Sequence, residues 1–391
     1  MSREQLEVAD IIKHHGREFR QNRSLTKKQK YVLSSIELCR TGHLGYHLDE
    51  CTACNHREIS YNSCRDRHCP KCQGIAQRQW IEKRMEHLLP VPYYHAVFTL
   101  PAGLFPFSLY NKKLIYNLLF DSAAATLKEF GRNPKWLGGN LGFFGVLHTW
   151  GQTLWHHPHI HFIVPGGALD GDGNWVYTKH DGKFLFPVKA VSKVFQGKFM
   201  RGLEKAINKN EFCLPEDQAF SGNAWQAQRF LQSLVAKNWV VYCKSPFKKA
   251  EHVIKYIGRY THKVALSNSR LVTMENGHVR FRYRDYKDNK KSKTMSLKVN
   301  DFLQRFVWHV LPEKFHRIRH YGFLANGIAQ SSCVKIRGML EENYEPGEKS
   351  PVLHNVICKK CKIGTMVLLK LITQSGYLIV PGNPYGFDNS S

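Results

Sequence analysis

The segment Trp155-His-His-Pro-His-Ile-His-Phe-Ile-Val places four histidines within six residues, directly before an apolar run. On a strand, His159 and His161 point to one face while Ile160 and Phe162 point to the other. Two imidazoles on one pleat can hold a divalent ion and leave it open positions for a phosphate, as metal-assisted phosphodiester chemistry requires. A lone His-apolar-His also arises by chance in half-buried strands, so the preceding segment decides its weight. There His148, Trp150 and Gln152 alternate, so that His148 and Gln152 share a face and either could complete a three-ligand site across a hairpin. Gln152, nearer the turn, is the expected third ligand and His148 its competitor. His156 and His157 read as polar turn residues or phosphate contacts.

A second chemistry lies in Glu251-His-Val-Ile-Lys-Tyr-Ile-Gly-Arg-Tyr-Thr-His-Lys, where Tyr256 and Tyr260 stand four apart and so share one helical face. A phenol is a weak nucleophile near neutrality because its pKa is about 10, but a metal on the target phosphate and nearby cations compensate. Lys255, Arg259, His262 and Lys263 are those cations. Aromatic pairs at this spacing usually pack in cores; the surroundings set this pair apart. From Lys237 to Lys298 there are 16 Lys plus Arg against 4 acids, a surplus of 12 out of the chain's +26. Within it, Arg280-Phe-Arg-Tyr-Arg-Asp-Tyr-Lys alternates cations with rings. Such a strand can offer Arg280, Arg282 and Arg284 to phosphates and ring faces to unpaired bases; the plain alternative is a solvated basic edge strand.

The cysteines supply a third. Cys51-Thr-Ala-Cys54 and Cys69-Pro-Lys-Cys72 are two C-x-x-C knuckles with 14 residues between them, close to the spacing of a four-cysteine zinc ribbon. Cys39, His43, His47, Cys64 and His68 lie in or beside the same window, and a second ion could draw on Cys39, His43 or His47, Cys64 and His68. Arg65, Arg67 and Lys71 around them suit phosphate contacts. Cys358-Lys-Lys-Cys361 has no second pair downstream and reads as half a site that does not hold zinc.

These groups need elements to carry them. Residues 1–38 read as a helical lead-in, Gly74–Leu89 as a helix stopped by Pro90 and Pro92, Tyr94–Leu100 as a strand, and Leu109–Phe130 as a helix. Gly142–Thr153 and His159–Val164 read as a hairpin, Val191–Lys237 as helical with a loop near Pro215, and Phe247–Val264 as the helix bearing the tyrosines. Arg270–Met274 and His278–Tyr283 flank Glu275-Asn-Gly as a tight hairpin. The chain thus divides into a helical and zinc-binding DNA-binding front over 1–90, a mixed strand-and-helix core over 91–326, and a tail over 327–391. Its 391 residues and +26 charge point to a polyanionic partner. No run approaches the roughly 18 apolar residues of a membrane span, which favours nucleic acid over a membrane. The first residues lack the pattern of a secretory signal, so a cytoplasmic, nucleoid-associated protein is expected.

The combination resembles the two-tyrosine HUH transposases of the insertion sequence 91 family, similar in chemistry to Helitron transposases and rolling-circle initiators. The resemblance rests on Cys64-Arg-Asp-Arg-His-Cys-Pro-Lys-Cys72, Phe98-Thr-Leu-Pro101, His148-Thr-Trp-Gly-Gln152, Pro158-His-Ile-His-Phe-Ile-Val-Pro-Gly-Gly167 and Tyr256-Ile-Gly-Arg-Tyr-Thr-His262, in the family's order over roughly residues 30 to 325. It implies an α+β fold: an antiparallel-sheet HUH nuclease palm flanked by helices, preceded by a small zinc-binding domain. It implies structural zinc, a catalytic Mg or Mn ion on His159 and His161, and single-stranded DNA at element ends and target as partner. Tyr256 would attack a phosphate to give a 5′-phosphotyrosine and a free 3′-hydroxyl, and Tyr260 would make the second cleavage or strand transfer. A plasmid relaxase or replication initiator would share this chemistry, and a non-catalytic zinc-ribbon nucleic-acid-binding protein would share only the cysteines.

Overall fold

The computed structural model describes residues 5–179, 182, 184–213, 224–237, 239–247, 258, 265–340, 356–373 and 376–378. Helices α1 (Val8–Gln21) and α2 (Lys27–Leu38) form the lead-in. Thr26 and Gln29 start α2 with a reciprocal capping box, which satisfies two of the amides a helix start leaves open. Strands β1 (Tyr46–Cys51) and β2 (Arg57–Tyr61) then form a hairpin across the first knuckle, and α3 (Gln73–Met85) begins with Cys72 as its N-cap.

Next come β3 (Tyr93–Thr99), α4 (Phe105–Tyr110) and α5 (Lys112–Arg132), then β4 (Phe143–Trp150) and β5 (His156–Pro165). A small ribbon, β6 (Gly167–Leu169) and β7 (Trp175–Tyr177), leads to α6 (Val188–Asn208), α7 (Ala224–Val235) and β8 (Val240–Phe247). A three-stranded meander follows, β9 (Leu271–Glu275), β10 (His278–Asp285) and β11 (Lys291–Lys298), then α8 (Val299–Trp308) and β12 (Ile318–Tyr321). Last are α9 (Ala329–Leu340), β13 (Met366–Thr373) and β14 (Gly376–Leu378).

The architecture is α+β. Its centre is a five-stranded sheet in the order β12-β4-β5-β3-β8, antiparallel at every pairing. One face of it, with Phe98, Leu147, Ile160 and Phe162, packs on α5 and α6 in the largest core. The β9–β10 turn is as expected: Asn276 and Gly277 both have positive φ, 49° and 71°, as a two-residue hairpin turn matching strand twist needs. Strands β1, β2, β6, β7, β8, β11, β12, β13 and β14 were not expected. Of the expected helix over Phe247–Val264, only the helical residue Gly258 is described beyond Phe247; the loop at Pro215 also lies outside the described residues.

The expected boundaries at 90 and 326 are both bridged. Val8, Ile12, Val32 and Ile36 of the lead-in share a second core with Leu271, Phe281, Phe302 and Phe306. The tail strand β13 pairs antiparallel with β1, from Tyr46 opposite Ile372 to Cys51 opposite Met366. No helix among the described residues is long and apolar enough to cross a membrane.

Candidate metal centre and nucleic-acid surface

Alternation along β5 leaves Ile160 and Phe162 in the core and puts His159 and His161 on the opposite face. In the β4–β5 register His148 lies directly across from His159. The ring centroids are 5.4 Å apart for His148 and His159, 4.5 Å for His148 and His161, and 4.9 Å for His159 and His161. One ligand nitrogen from each of the three falls within 4.8 Å of the others. His148, the competitor, is thus brought beside His159 and His161, while Gln152 lies beyond the end of β4. The physical reason is a register shift between His148 and Trp150: β4 ends there, and Gln152 sits in the turn with its side-chain oxygen 3.4 Å from the Arg284 amide. A bulge re-aims the residues beyond it.

The imidazoles are oriented from behind. His159 Nδ1 donates to the His157 carbonyl at 2.7 Å, which leaves Nε2 with its lone pair, and burial pushes its pKa down to about 3, so the ring is neutral and able to ligate. His161 Nδ1 is 2.7 Å from Nε2 of His95 on β3, with the two rings stacked at 5.0 Å. This contact fixes the His161 ring through its Nδ1 and turns the Nε2 edge away from His95. His95 was not singled out in the sequence; its signal was there, since His95 shares the pleat face of Val97 and Thr99, which pair with His161 and His159.

His156 and His157 are not a loose turn. His156 is buried, lies 2.8 Å from the Ser108 hydroxyl, and is pushed by burial down to about 2. His309 sits between Thr149 and the Leu154 carbonyl at 3.2 and 3.1 Å, lowered to about 3 by burial.

The cysteines regroup. Cys69 and Cys72 meet Cys39 and Cys64, with Cys72 Sγ 3.4 Å from Cys39 and 3.6 Å from Cys64, rather than meeting Cys51 and Cys54. Cys51 and Cys54 instead face Cys358 and Cys361, so the terminal pair does not stand alone. His43 is exposed and outside both groups. His68 is also outside them: its Nδ1 is 2.8 Å from Asp66 and its Nε2 accepts the Leu311 amide at 3.2 Å. Burial lowers its pKa against the pull of Asp66, which keeps Nε2 an acceptor.

The predicted phosphate contacts also separate. Arg280, Arg282 and Arg284 all project to solvent from β10, the central strand of its sheet rather than an edge, with Thr273, Ser292, Thr294 and Ser296 across from them. Phe281 between them is fully buried against Phe302, so its ring is not offered to bases. Arg65 is exposed. Arg67 donates to the Phe315 and Pro312 carbonyls at 2.7 and 3.3 Å, and Lys71 pairs with Glu7; both are structural contacts. Arg270 joins the two regions by donating to the Gln152 and Arg282 carbonyls.

Tyr256, Tyr260, Lys255, Arg259 and Lys263 lie outside the described residues. Gly258 between the tyrosines is buried against α3: Gln77 donates to its carbonyl at 2.6 Å, and a Cβ would come within 2.3 Å of Ile81.

With this geometry in hand, comparison with known proteins is decisive. Residues 142–332 match a family model described as "Putative transposase", and residues 11–100 match the transposase zinc-binding domain of the insertion sequence 91 type. The chain is 45% identical over its full length to all of "Putative transposase y4qJ" of Sinorhizobium fredii. The chain belongs to the insertion sequence 91 family of transposases. The transposase is also 31% identical to the transposase for insertion sequence element IS801 of Pseudomonas savastanoi pv. phaseolicola, across 78% of this chain and 72% of that one. DNA is thus its partner, and structural zinc belongs to it.

Proposed function

We propose that this transposase moves DNA by a rolling-circle route, cutting and rejoining single strands through 5′-phosphotyrosine links made by Tyr256 and Tyr260. The observation that carries the reading is the convergence of His148, His159 and His161 on one face of the central strand pair. Three imidazoles with ligand nitrogens within 4.8 Å of one another fit a divalent ion, and nitrogen ligands favour Mn over Mg. Such an ion, when bound, polarises the target phosphate. The protein's own share is orientation: the His157 carbonyl and His95 fix two of the rings, and β4 and β5 hold all three in register.

In the cleavage step the tyrosine oxygen bonds to phosphorus as the bond to the 3′ oxygen breaks. The phenolic proton is lost and the departing 3′ oxygen gains one, leaving the 5′ end on the enzyme. Resemblance to the family gives Tyr256 the first attack and Tyr260 the second. Cys39, Cys64, Cys69 and Cys72 hold the structural zinc; sulfurs 3.4 and 3.6 Å apart approach the roughly 3.8 Å of a tetrahedral ion with Zn–S near 2.3 Å. Arg280, Arg282 and Arg284 line the path of the strand. The test is incubation of single-stranded element ends with Mn or Mg. A denaturation-resistant protein–DNA adduct, mapped to Tyr256 or Tyr260 and abolished in the double Phe variant, is expected. An adduct that survives in that variant would overturn the tyrosine assignment.

A further inference from the structure

We propose that Cys51, Cys54, Cys358 and Cys361 bind a second zinc ion, which clasps the C-terminal hairpin β13–β14 onto the β1–β2 hairpin. The matched zinc-binding domain ends at residue 100, so half of this site comes from outside it. Cys51 and Cys361 sulfurs are 3.6 Å apart, Cys54 and Cys358 3.8 Å, and all four lie within 4.8 Å of one another. A tetrahedral four-thiolate zinc asks for about 3.8 Å. The spacing is too wide for disulfides, whose sulfurs stand about 2.0 Å apart.

The two knuckles share one backbone form. Asn55 donates to the Cys51 carbonyl at 3.1 Å and Lys362 to the Cys358 carbonyl at 2.8 Å, and both donors are left-handed, with φ of 55° and 60°. In each, one sulfur is the target of a backbone amide: Ala53 to Cys51 and Gly364 to Cys361, both at 3.4 Å. Such amides stabilise thiolates. Gly364 permits the approach of the knuckles, since a Cβ there would lie 2.5 Å from the Cys51 sulfur.

Packing gives an independent reason for an ion. Among the described residues, the buried apolar set at this end is only Cys51, Cys358 and Met366. Ile357 and Ile363 are 60% and 83% exposed. A sheet with so small a core needs a metal or a cross-link to persist. The segments joined are 304 residues apart, and a clip that closes so long a loop restricts the unfolded chain strongly.

The test uses the full-length protein loaded with Co2+, whose thiolate charge-transfer absorption is absent from imidazole-only sites. Two thiolate-bound ions per chain are expected, falling to one, with about half the absorbance, in Cys358→Ser/Cys361→Ser. Saturation at one ion in the wild type, or an unchanged count in the double variant, would overturn the proposal. Hydrogen exchange supplies a check that does not depend on ion counting. Amides of Tyr46–Cys51 should lose protection in the Ser variant and retain it in Cys361→His, which keeps a ligand. Equal protection in the wild type and the Ser variant would show that no clasp exists.

Discussion

The three histidines come from one hairpin between residues 148 and 161, over a sheet whose far face packs against two long helices, whereas the four outer cysteines come from knuckles 304 residues apart where, among the described residues, Met366 is the one buried apolar side chain besides Cys51 and Cys358 themselves. At the histidine end the fold sets the geometry and an ion would add chemistry. At the outer cysteine end an ion would add the fold itself. The inner tetrad of Cys39, Cys64, Cys69 and Cys72 stands between these extremes, because Cys39 and Cys69 are buried in the second core with α1, α2 and α8.

This contrast can be broken directly. Cys72→Ser should lower unfolding stability by about 3 kcal/mol or more, since it opens a metal site inside a core. His159→Ala/His161→Ala should change stability by about 1 kcal/mol while abolishing adduct formation. Urea unfolding beside the cleavage assay measures both; a histidine variant that unfolds first would reverse the comparison. Acid sharpens it next. His156 and His309 have folded pKa values lowered to about 2 and about 3, so they stay neutral while their unfolded counterparts take up protons below about 6.5. Their burial is tolerated fully above that pH, and stability falls as pH drops from about 6.5 toward 3, by up to about 1.4 kcal/mol per pH unit for each histidine. Urea unfolding of His309→Asn from pH 7 to 5 should give a shallower fall than the wild type.

A smaller effect is expected at His95, which touches His161 and not the ion's own position. His95→Ala should weaken Mn binding about 10- to 100-fold, with partial rescue by His95→Gln, read by titration with a paramagnetic-resonance signal. Unchanged affinity would mean that the sheet alone orients His161. The smallest effect separates two arginines. Arg282→Ala should reduce the salt dependence of single-strand binding by about 0.7 in log–log slope. Arg67→Ala should leave that slope alone and lower stability, because its guanidinium is spent on two carbonyls.

What the sequence revealed was the local part. The β4–β5 hairpin, the histidine face and the Asn-Gly turn are all written within a few residues, where period-2 alternation and turn chemistry operate. That Gln152 lies past a register shift was not legible, because alternation carries no mark of one. The cysteine groups were misread because spacing favours the nearest pairs: the partners of Cys51 and Cys54 lie beyond the core, and only sheet pairing between β1 and β13 brings them in. Phe281 and Arg67 show the same limit, since adjacency to cations does not say whether a ring or a guanidinium faces outward.

The grip of α3 on Gly258 has a mechanical consequence. Cys72 of the inner tetrad caps this helix, and Gln77 and Ile81, about 7.5 and 13.5 Å further along it at 1.5 Å per residue, hold the glycine that separates the two tyrosines. The helix is therefore one rigid strut between the inner cysteine group and Gly258. Displacing its first turn at Cys72 would move its contacts with Gly258 in step.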